Sequence, residues 1–95
     1  MRPEETIEKK FVSECEKIGI KAFKFEIPGH RGAPDRIIFL PKGEVLFVEF
    51  KTPVGKLSQH QIEFIDYLTN KEFNVLVATE WKTPFNLVRS ICDGK

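Results

Sequence analysis

The stretch that decides the fold is EVLFVEFK, Glu44–Lys51. A β-strand alternates its side chains between two faces. One face of this stretch carries two apolar residues and then two charged ones: Val45, Phe47, Glu49, Lys51. The other face is apolar: Leu46, Val48, Phe50. Because both faces begin apolar, we predict a central strand that is covered on both sides.

Glu49 and Lys51 are the unusual residues of this strand. Charges at the end of a covered strand are costly to desolvate unless they are paired or bound to a ligand. One interpretation is a solvent-facing Glu49–Lys51 pair, which would contribute less than about 1 kcal/mol to stability. The other interpretation is a functional site. The neighbouring sequence favours the second.

The segment before this strand predicts an antiparallel hairpin. Asp35–Leu40 reads as a strand, and the short link of Pro41, Lys42 and Gly43 leads directly into the next one. Before it, the loop PGHRGAP, Pro28–Pro34, is rich in Gly and Pro. The start of one hairpin strand lies beside the end of the other, so Asp35 is expected beside Glu49 and Lys51, with Pro34 shaping the loop that delivers it.

Apolar spacing predicts the first half of the chain. Apolar residues recur at three- and four-residue spacing between Pro3 and Ile18, which indicates an amphipathic helix that ends near Gly19. Ile20–Ile27 then reads as a half-buried strand.

The second half reads as helix, strand and helix. Ser58 is a good N-cap, with Gln61 in the capping-box position, for a helix that ends near Asn70. Phe73–Ala78 reads as a strand, and a helical crossover favours parallel pairing. Thr83 is expected to cap a final helix that Pro84 opens. The predicted order is αβββαβα, an α/β fold.

Composition restricts the class of protein. The 95 residues suit one domain, 1–95, and 41% hydrophobic with 31% charged residues is typical of a globular protein. No apolar run approaches the length that spans a bilayer, and the charged start MRPEETIEKK lacks the apolar stretch of a signal peptide, so we expect a cytoplasmic location. The net charge of +1 does not by itself favour nucleic-acid binding. Cys15 and Cys92 are expected to be buried thiols.

Two carboxylates and an ammonium group suit phosphodiester hydrolysis. Hard carboxylate oxygens hold Mg²⁺ or Mn²⁺, which activates water and offsets phosphate charge. The Lys51 ammonium would orient that water or stabilise the transition state. Ser58, in contrast, has no His or Asp arrangement that would make it a nucleophile, so we assign it to capping.

These residues carry a family resemblance. Pro34-Asp35 followed by Glu49-Phe50-Lys51 resembles the PD-(D/E)XK signature of restriction-endonuclease-like nucleases. Three longer strings, RGAPDRIIFLP, GEVLFVEFK and GKLSQHQ, resemble the VRR-NUC family over roughly residues 4–80. The resemblance implies a restriction-endonuclease-like αβββαβ core, with a four-stranded mixed sheet flanked by helices and an extra C-terminal helix.

The resemblance also implies site residues. Asp35, Glu49 and the backbone carbonyl of Phe50 would be metal ligands, and Lys51 would be the catalytic lysine. Gln61 would stand beside the site, which is compatible with its capping role. A first-helix glutamate would join the metal region. The candidates are Glu4, Glu5 and Glu8, and we favour Glu8 because it flanks the apolar stripe; a solvated helix face is the alternative.

The remaining basic residues are candidates for DNA contact. Arg31, Arg36, Lys56 and His30 surround the site in sequence and are expected to contact phosphates, with plain surface charge as the alternative.

The resemblance implies a metal-dependent DNA endonuclease that uses Mg²⁺ or Mn²⁺. Stand-alone family members, often from phages, include dimeric resolvases of four-way (Holliday) junctions, and other members are nuclease domains of DNA repair proteins. We therefore expect branched DNA as the substrate, a homodimer, and the host cytoplasm as the location if the chain is phage-encoded. The rivals are a nuclease for flaps, nicks or unspecific DNA, and a non-catalytic nucleic-acid-binding or protein-binding module that keeps the fold.

Overall fold

The computed structural model describes residues 2–94. The two end residues of the predicted domain 1–95 therefore lie outside the described part. The helices and strands are, in chain order, α1 Pro3–Lys17, β1 Ala22–Lys24, β2 Arg36–Phe39, β3 Val45–Phe50, α2 Gln59–Asn70, β4 Asn74–Ala78 and α3 Lys82–Asp93. A single 3₁₀ turn, Pro41–Gly43, joins β2 to β3. The predicted order αβββαβα is confirmed.

The strands form one mixed sheet. Its four strands are ordered β1-β2-β3-β4. β2 pairs antiparallel with β1 and β3, and Arg36 lies opposite Val48. β4 pairs parallel with β3, with Ala78 opposite Phe50. Both the hairpin and the parallel crossover strand are therefore as predicted, and β3 is an inner strand.

Helices cover both faces of the sheet, as the alternation in β3 predicts. On one face, Leu46, Val48 and Phe50 pack in a buried cluster with residues of α1 and α3. On the other face, Phe47 packs with Phe64 and Leu68 of α2. Glu49 has the same parity as Phe47. The alternation therefore directs its side chain to the α2 face.

β1 is shorter than the predicted strand Ile20–Ile27. Only Ala22–Lys24 pairs with β2, and one further bond runs from the Phe25 N–H to the Asp35 carbonyl at 3.1 Å. On the same register the next partner of β1 would be Pro34, which has no N–H to donate. The ladder therefore stops where the loop begins.

The cap predicted for α3 is wrong. Trp81, rather than Thr83, precedes the first helical residue, and it already has helical backbone angles. The capping oxygens come from Glu80, whose carboxylate accepts from the Lys82 N–H at 3.1 Å and the Thr83 N–H at 3.0 Å. Because the chain starts to coil directly after β4, the cap falls upstream of Thr83. Pro84 lies buried in the first turn.

Both cysteines lie in or beside the apolar cluster that packs between the sheet and helices α1 and α3. Cys15 is fully buried, and burial raises the pKa of its thiol to about 12. Cys92 is half-buried at the edge of that cluster. Both thiols are free.

No helix within residues 2–94 is both long and apolar enough to cross a membrane.

The loop between β1 and β2 touches α2 through Gly32. A Cβ atom at this position would lie 2.2 Å from the His60 carbonyl oxygen and 2.9 Å from the Gln61 nitrogen. The φ of Gly32, +91°, is also one that side chains disfavour. The glycine thus permits direct contact between the loop and the first turn of α2.

Gly32→Ala is expected to lower the free energy of unfolding by about 2–4 kcal/mol, because it adds overpacking to the cost of positive φ. Gly29→Ala is the matched control: Gly29 has φ +75° with no atom near its Cβ position, so its loss should be only about 1 kcal/mol. Urea unfolding measures both losses. Equal losses would contradict close packing at Gly32.

Candidate active site

Asp35 lies where the hairpin opens. It directly precedes β2, and the fully buried Pro34 holds the chain in front of it. The Asp35 Oδ2 accepts a hydrogen bond of 2.8 Å from the Phe50 N–H. The carboxylate thereby bridges β2 and β3 at the end of the sheet. This is the convergence that the hairpin predicts.

Glu49 is held from two sides at that end of the sheet. Its side chain is only 4% exposed. The Oε2 atom accepts a hydrogen bond of 3.0 Å from the Gln61 Nε2, and the Lys51 Nζ lies 3.6 Å from the same oxygen. The Lys51 N–H bonds the Ala78 carbonyl at 2.9 Å, so β4 secures the backbone of the lysine. A solvent-facing Glu49–Lys51 pair is therefore excluded.

Burial disfavours the charged forms of both carboxylates. Desolvation, followed by the charge of Asp35, raises the pKa of Glu49 to about 7, against the opposing effect of Lys51. Desolvation also raises the pKa of Asp35, although the Phe50 N–H opposes it. Two acidic groups that resist ionisation together form a site that favours a cation.

Gln61 forms the predicted capping box and also lies beside Glu49. Its Oε1 accepts from the Ser58 N–H at 2.8 Å, and the Ser58 hydroxyl accepts from the Gln61 N–H at 3.2 Å, so the capping box is confirmed. Its Nε2 donates to Glu49. Because the amide oxygen is used by the cap, the amide nitrogen is turned to the carboxylate.

Glu8 is the most buried of the first-helix glutamates. It is 8% exposed, whereas Glu4 and Glu5 are half-buried, and all three line the same cleft. The Glu8 Oε2 lies 2.6 Å from the Arg36 Nε and 3.7 Å from the Lys24 Nζ. Arg36 also donates to the Ala22 carbonyl at 3.1 Å. Glu8 therefore faces the cleft, but its carboxylate is paired with the Arg36 guanidinium.

The residues predicted to contact DNA lie in three places. The Arg36 side chain is 18% exposed and is engaged by Glu8. His30 and Arg31 line a different pocket, between the loop and α2. Lys56 is exposed on the loop that follows β3. Their roles in DNA contact stay predictions.

The sequence analysis assigned no site role to three basic residues of the cleft. The lining includes Arg2, Lys9 and Lys24. Lys24 lies opposite Arg36 in the β1–β2 register, so the hairpin pattern was a signal that could have located it. Arg2 and Lys9 carry no such signal, because only the docking of α1 brings them to the sheet.

The cleft, with a volume of about 430 Å³, has donor chemistry that fits a hard divalent cation. Asp35 and Glu49 supply carboxylate oxygens, and Phe50 also lines the cleft. Within residues 2–94 no group of three acidic, His or Cys side chains is arranged to hold a metal by itself. Mg²⁺ commonly binds through one or two carboxylates, substrate phosphates and several waters, so two carboxylates fit the chemistry of that ion.

Comparisons with known proteins agree with this fold. The family model described as "VRR-NUC domain" matches residues 4–81. A solved structure described as "VRR_NUC domain" shares 28% sequence identity with a TM-score of 0.82, and the match covers 94% of this chain and 97% of that chain.

A phage protein is similar over part of its length. "Putative nuclease p44" of Acyrthosiphon pisum secondary endosymbiont phage 1 is 51% identical over 59 residues, which is 62% of this chain. The chain spans 63% of the length of that curated relative.

The Glu8–Arg36 pair gives a stability prediction. Arg36→Ala is expected to lower the free energy of unfolding by about 2–3 kcal/mol, because it leaves a buried carboxylate with only the distant Lys24. The double variant with Glu8→Gln should lose less than the sum of the single losses. Urea unfolding of the four proteins gives the double-mutant cycle, and additive losses at Glu8 and Arg36 would contradict the coupling.

Arg89→Ala is the control for this cycle. It removes an exposed pair with Asp93 and should lower the free energy of unfolding by under about 0.5 kcal/mol.

Glu49 gives a prediction about pH. In metal-free protein its raised pKa means that the folded state binds more protons than the unfolded state between about pH 4.5 and 7. Stability should therefore fall as pH rises through that window. Glu49→Gln removes the effect, so its melting temperature should exceed that of the wild type by about 5 °C or more at about pH 8, and by much less at about pH 5.

Thermal melts in EDTA measure this difference, with the exposed Glu26→Gln as the matched control. A Glu49→Gln advantage that does not change with pH would contradict the raised pKa.

Proposed function

The chain belongs to the VRR-NUC family, and on that premise we propose that it is a divalent-metal-dependent DNA endonuclease that hydrolyses phosphodiester bonds. The observation that carries this proposal is the meeting of the buried Glu49, the half-buried Asp35 and Lys51 in one cleft, at the end of a shared sheet. The family match and the similarity to a phage protein with nuclease in its name support it.

Asp35, Glu49 and the Phe50 carbonyl are the groups that would hold Mg²⁺ or Mn²⁺, with Glu8 at the margin of the set. When bound, the ion would supply an activated water and would offset charge on the phosphate. The chain itself contributes the orientation of its ligands. The Phe50 N–H fixes one oxygen of Asp35, and the Gln61 amide fixes one oxygen of Glu49.

Lys51 is the group that acts on the substrate in this proposal. Its ammonium is held near Glu49 and is partly exposed to the cleft, so it can donate to a phosphate oxygen or to the attacking water. Its backbone is secured to β4. The backbone of Lys51 is therefore fixed before DNA binds, which reduces the reorganisation needed to place its ammonium.

We propose branched DNA as the substrate and a homodimer as the active form. A four-way junction presents two equivalent strands, and one chain provides one cleft, so symmetric cleavage requires two chains related by a twofold axis. Trp81 and α3 are where we propose to look for the interface, although Trp81 also packs against Phe85 in its own chain, with ring centroids 5.7 Å apart.

The deciding experiment incubates purified full chain with a labelled four-way junction, a flap, a nicked duplex and a linear duplex, each with Mg²⁺, with Mn²⁺ and with EDTA. Paired, symmetric cuts in the junction that require metal are the expected result. Preferential cleavage of the other substrates would replace the branched-DNA proposal. Absence of cleavage in every metal condition would overturn the nuclease.

Site variants test whether this cleft performs the cleavage. Lys51→Ala and Asp35→Asn are each expected to lower the rate of cleavage by about 100-fold or more, because each removes a group that acts on transition-state charge or on the metal. Single-turnover cleavage in Mn²⁺ measures the rates. The matched controls are Asp66→Asn on α2 and Lys17→Ala on α1. Both residues are exposed, and their variants should cleave at nearly the wild-type rate.

Cleavage that is equal in wild type, Lys51→Ala and Asp35→Asn would contradict the assignment of the active site. It would indicate that a contaminating nuclease cuts the DNA and that this chain is a non-catalytic binding module.

A further inference from the structure

A second pocket lies outside the catalytic cleft, between the loop that precedes β2 and the outer surface of α2. Its volume is about 330 Å³, within the range of small-ligand sites. We call it the aromatic pocket and define it by its lining residues Ile27, His30, Arg31, His60, Glu63, Phe64 and Tyr67.

Aromatic rings form the walls of this pocket. Phe64 is 8% exposed, and its inner side packs in the core. The His30 ring lies edge-on to Phe64 at a centroid distance of 5.3 Å, and the Tyr67 ring lies at 6.2 Å. Tyr67 remains 59% exposed. A small planar ligand would therefore meet ring surfaces without any displacement of the core.

The surroundings of the aromatic pocket favour an anionic ligand backbone. Arg31 belongs to the lining, and the Lys71 Nζ lies 5.4 Å from the centre of the Tyr67 ring. The acidic side chain in the lining is Glu63. Apolar ring surfaces, with one guanidinium group in the lining and one ammonium group beside Tyr67, are a combination that binds single-stranded nucleic acid through base stacking and phosphate contact.

The aromatic pocket lies next to the catalytic cleft. His60 lines the pocket, whereas the next residue, Gln61, lines the cleft and bonds Glu49. Gly32 holds the loop directly against these two residues. Consecutive residues in the first turn of α2 therefore border the two places, so one DNA strand can reach both.

We propose that the aromatic pocket binds an unpaired nucleobase of the DNA strand whose phosphodiester bond lies in the catalytic cleft. The proposal rests on the nuclease function proposed above and deepens it, since it identifies the substrate as DNA with an unstacked base close to the cleavage point. Stacking accepts any base, because each base has a π-face, so the pocket would select unpaired structure and not sequence.

The test measures binding in EDTA, where no cleavage occurs. Full-chain protein is titrated by fluorescence anisotropy against labelled oligothymidylate of about ten nucleotides and against an abasic oligomer of the same length. Tyr67→Ala is expected to weaken binding of oligothymidylate by roughly fivefold to a hundredfold, the usual range for loss of one stacking ring. The variant should bind the abasic oligomer as the wild type does.

Tyr67→Phe is the matched control and should retain the affinity for oligothymidylate, because it keeps the ring. His30→Ala provides a second variant on the other side of Phe64, in case Tyr67→Ala fails to fold, and the same loss limited to oligothymidylate is expected. Equal losses on both oligomers, or no loss on either, would overturn the proposal.

This result is distinguishable from failure of the nuclease. A protein that cleaves junctions in Mn²⁺ but shows no base-dependent binding keeps its nuclease function and loses the aromatic pocket as a base site. A protein that cleaves no DNA, but binds oligothymidylate in a manner that depends on Tyr67, keeps the base site and loses the nuclease.

Discussion

The antiparallel register that places Arg36 opposite Val48 is the constraint on which the candidate site depends. It sets Asp35 beside the end of β3, where the Phe50 N–H holds its carboxylate at 2.8 Å. A slip of one residue would turn every side chain of β3 to the opposite face. Glu49 would then enter the apolar cluster under α1 and α3, and Phe50 would take its place beside α2. The buried residues on both faces therefore stabilise the register and, with it, the site.

The buried charges of the candidate site lower the stability of the protein. Glu49 and Glu8 are buried charged residues in a chain of 95 residues, and each needs a partner from a different element. Gln61 reaches Glu49 from α2, and Arg36 reaches Glu8 from β2. The apolar clusters on the two faces offset this cost. Such a cluster of charges is expected where a cation and a phosphate are to be bound. The cation would offset the charge of the carboxylates, and the phosphate would offset the charge of the basic side chains.

The first turn of α2 links the two candidate binding surfaces. Ser58 and Gln61 form its capping box, and the Gln61 side chain extends from that box to Glu49. On the outer side, His60 borders the aromatic pocket. Gly32 keeps the loop before β2 in contact with this turn. The first turn of α2 thus caps the helix, orients the Glu49 carboxylate and lies between the two surfaces.

The sequence by itself determined the element order, the mixed sheet and the meeting of Asp35 with Glu49, because strand alternation and a short hairpin link are local properties of the chain. It also located the capping box of α2. It did not determine that Arg36 binds Glu8, that Arg2 and Lys9 line the cleft, or that His30 and Arg31 face another pocket. Those facts follow from how α1 and the loop dock on the sheet, and docking depends on packing between residues far apart in the chain. Local periodicity carries no information about such contacts, so only the tertiary structure decided them.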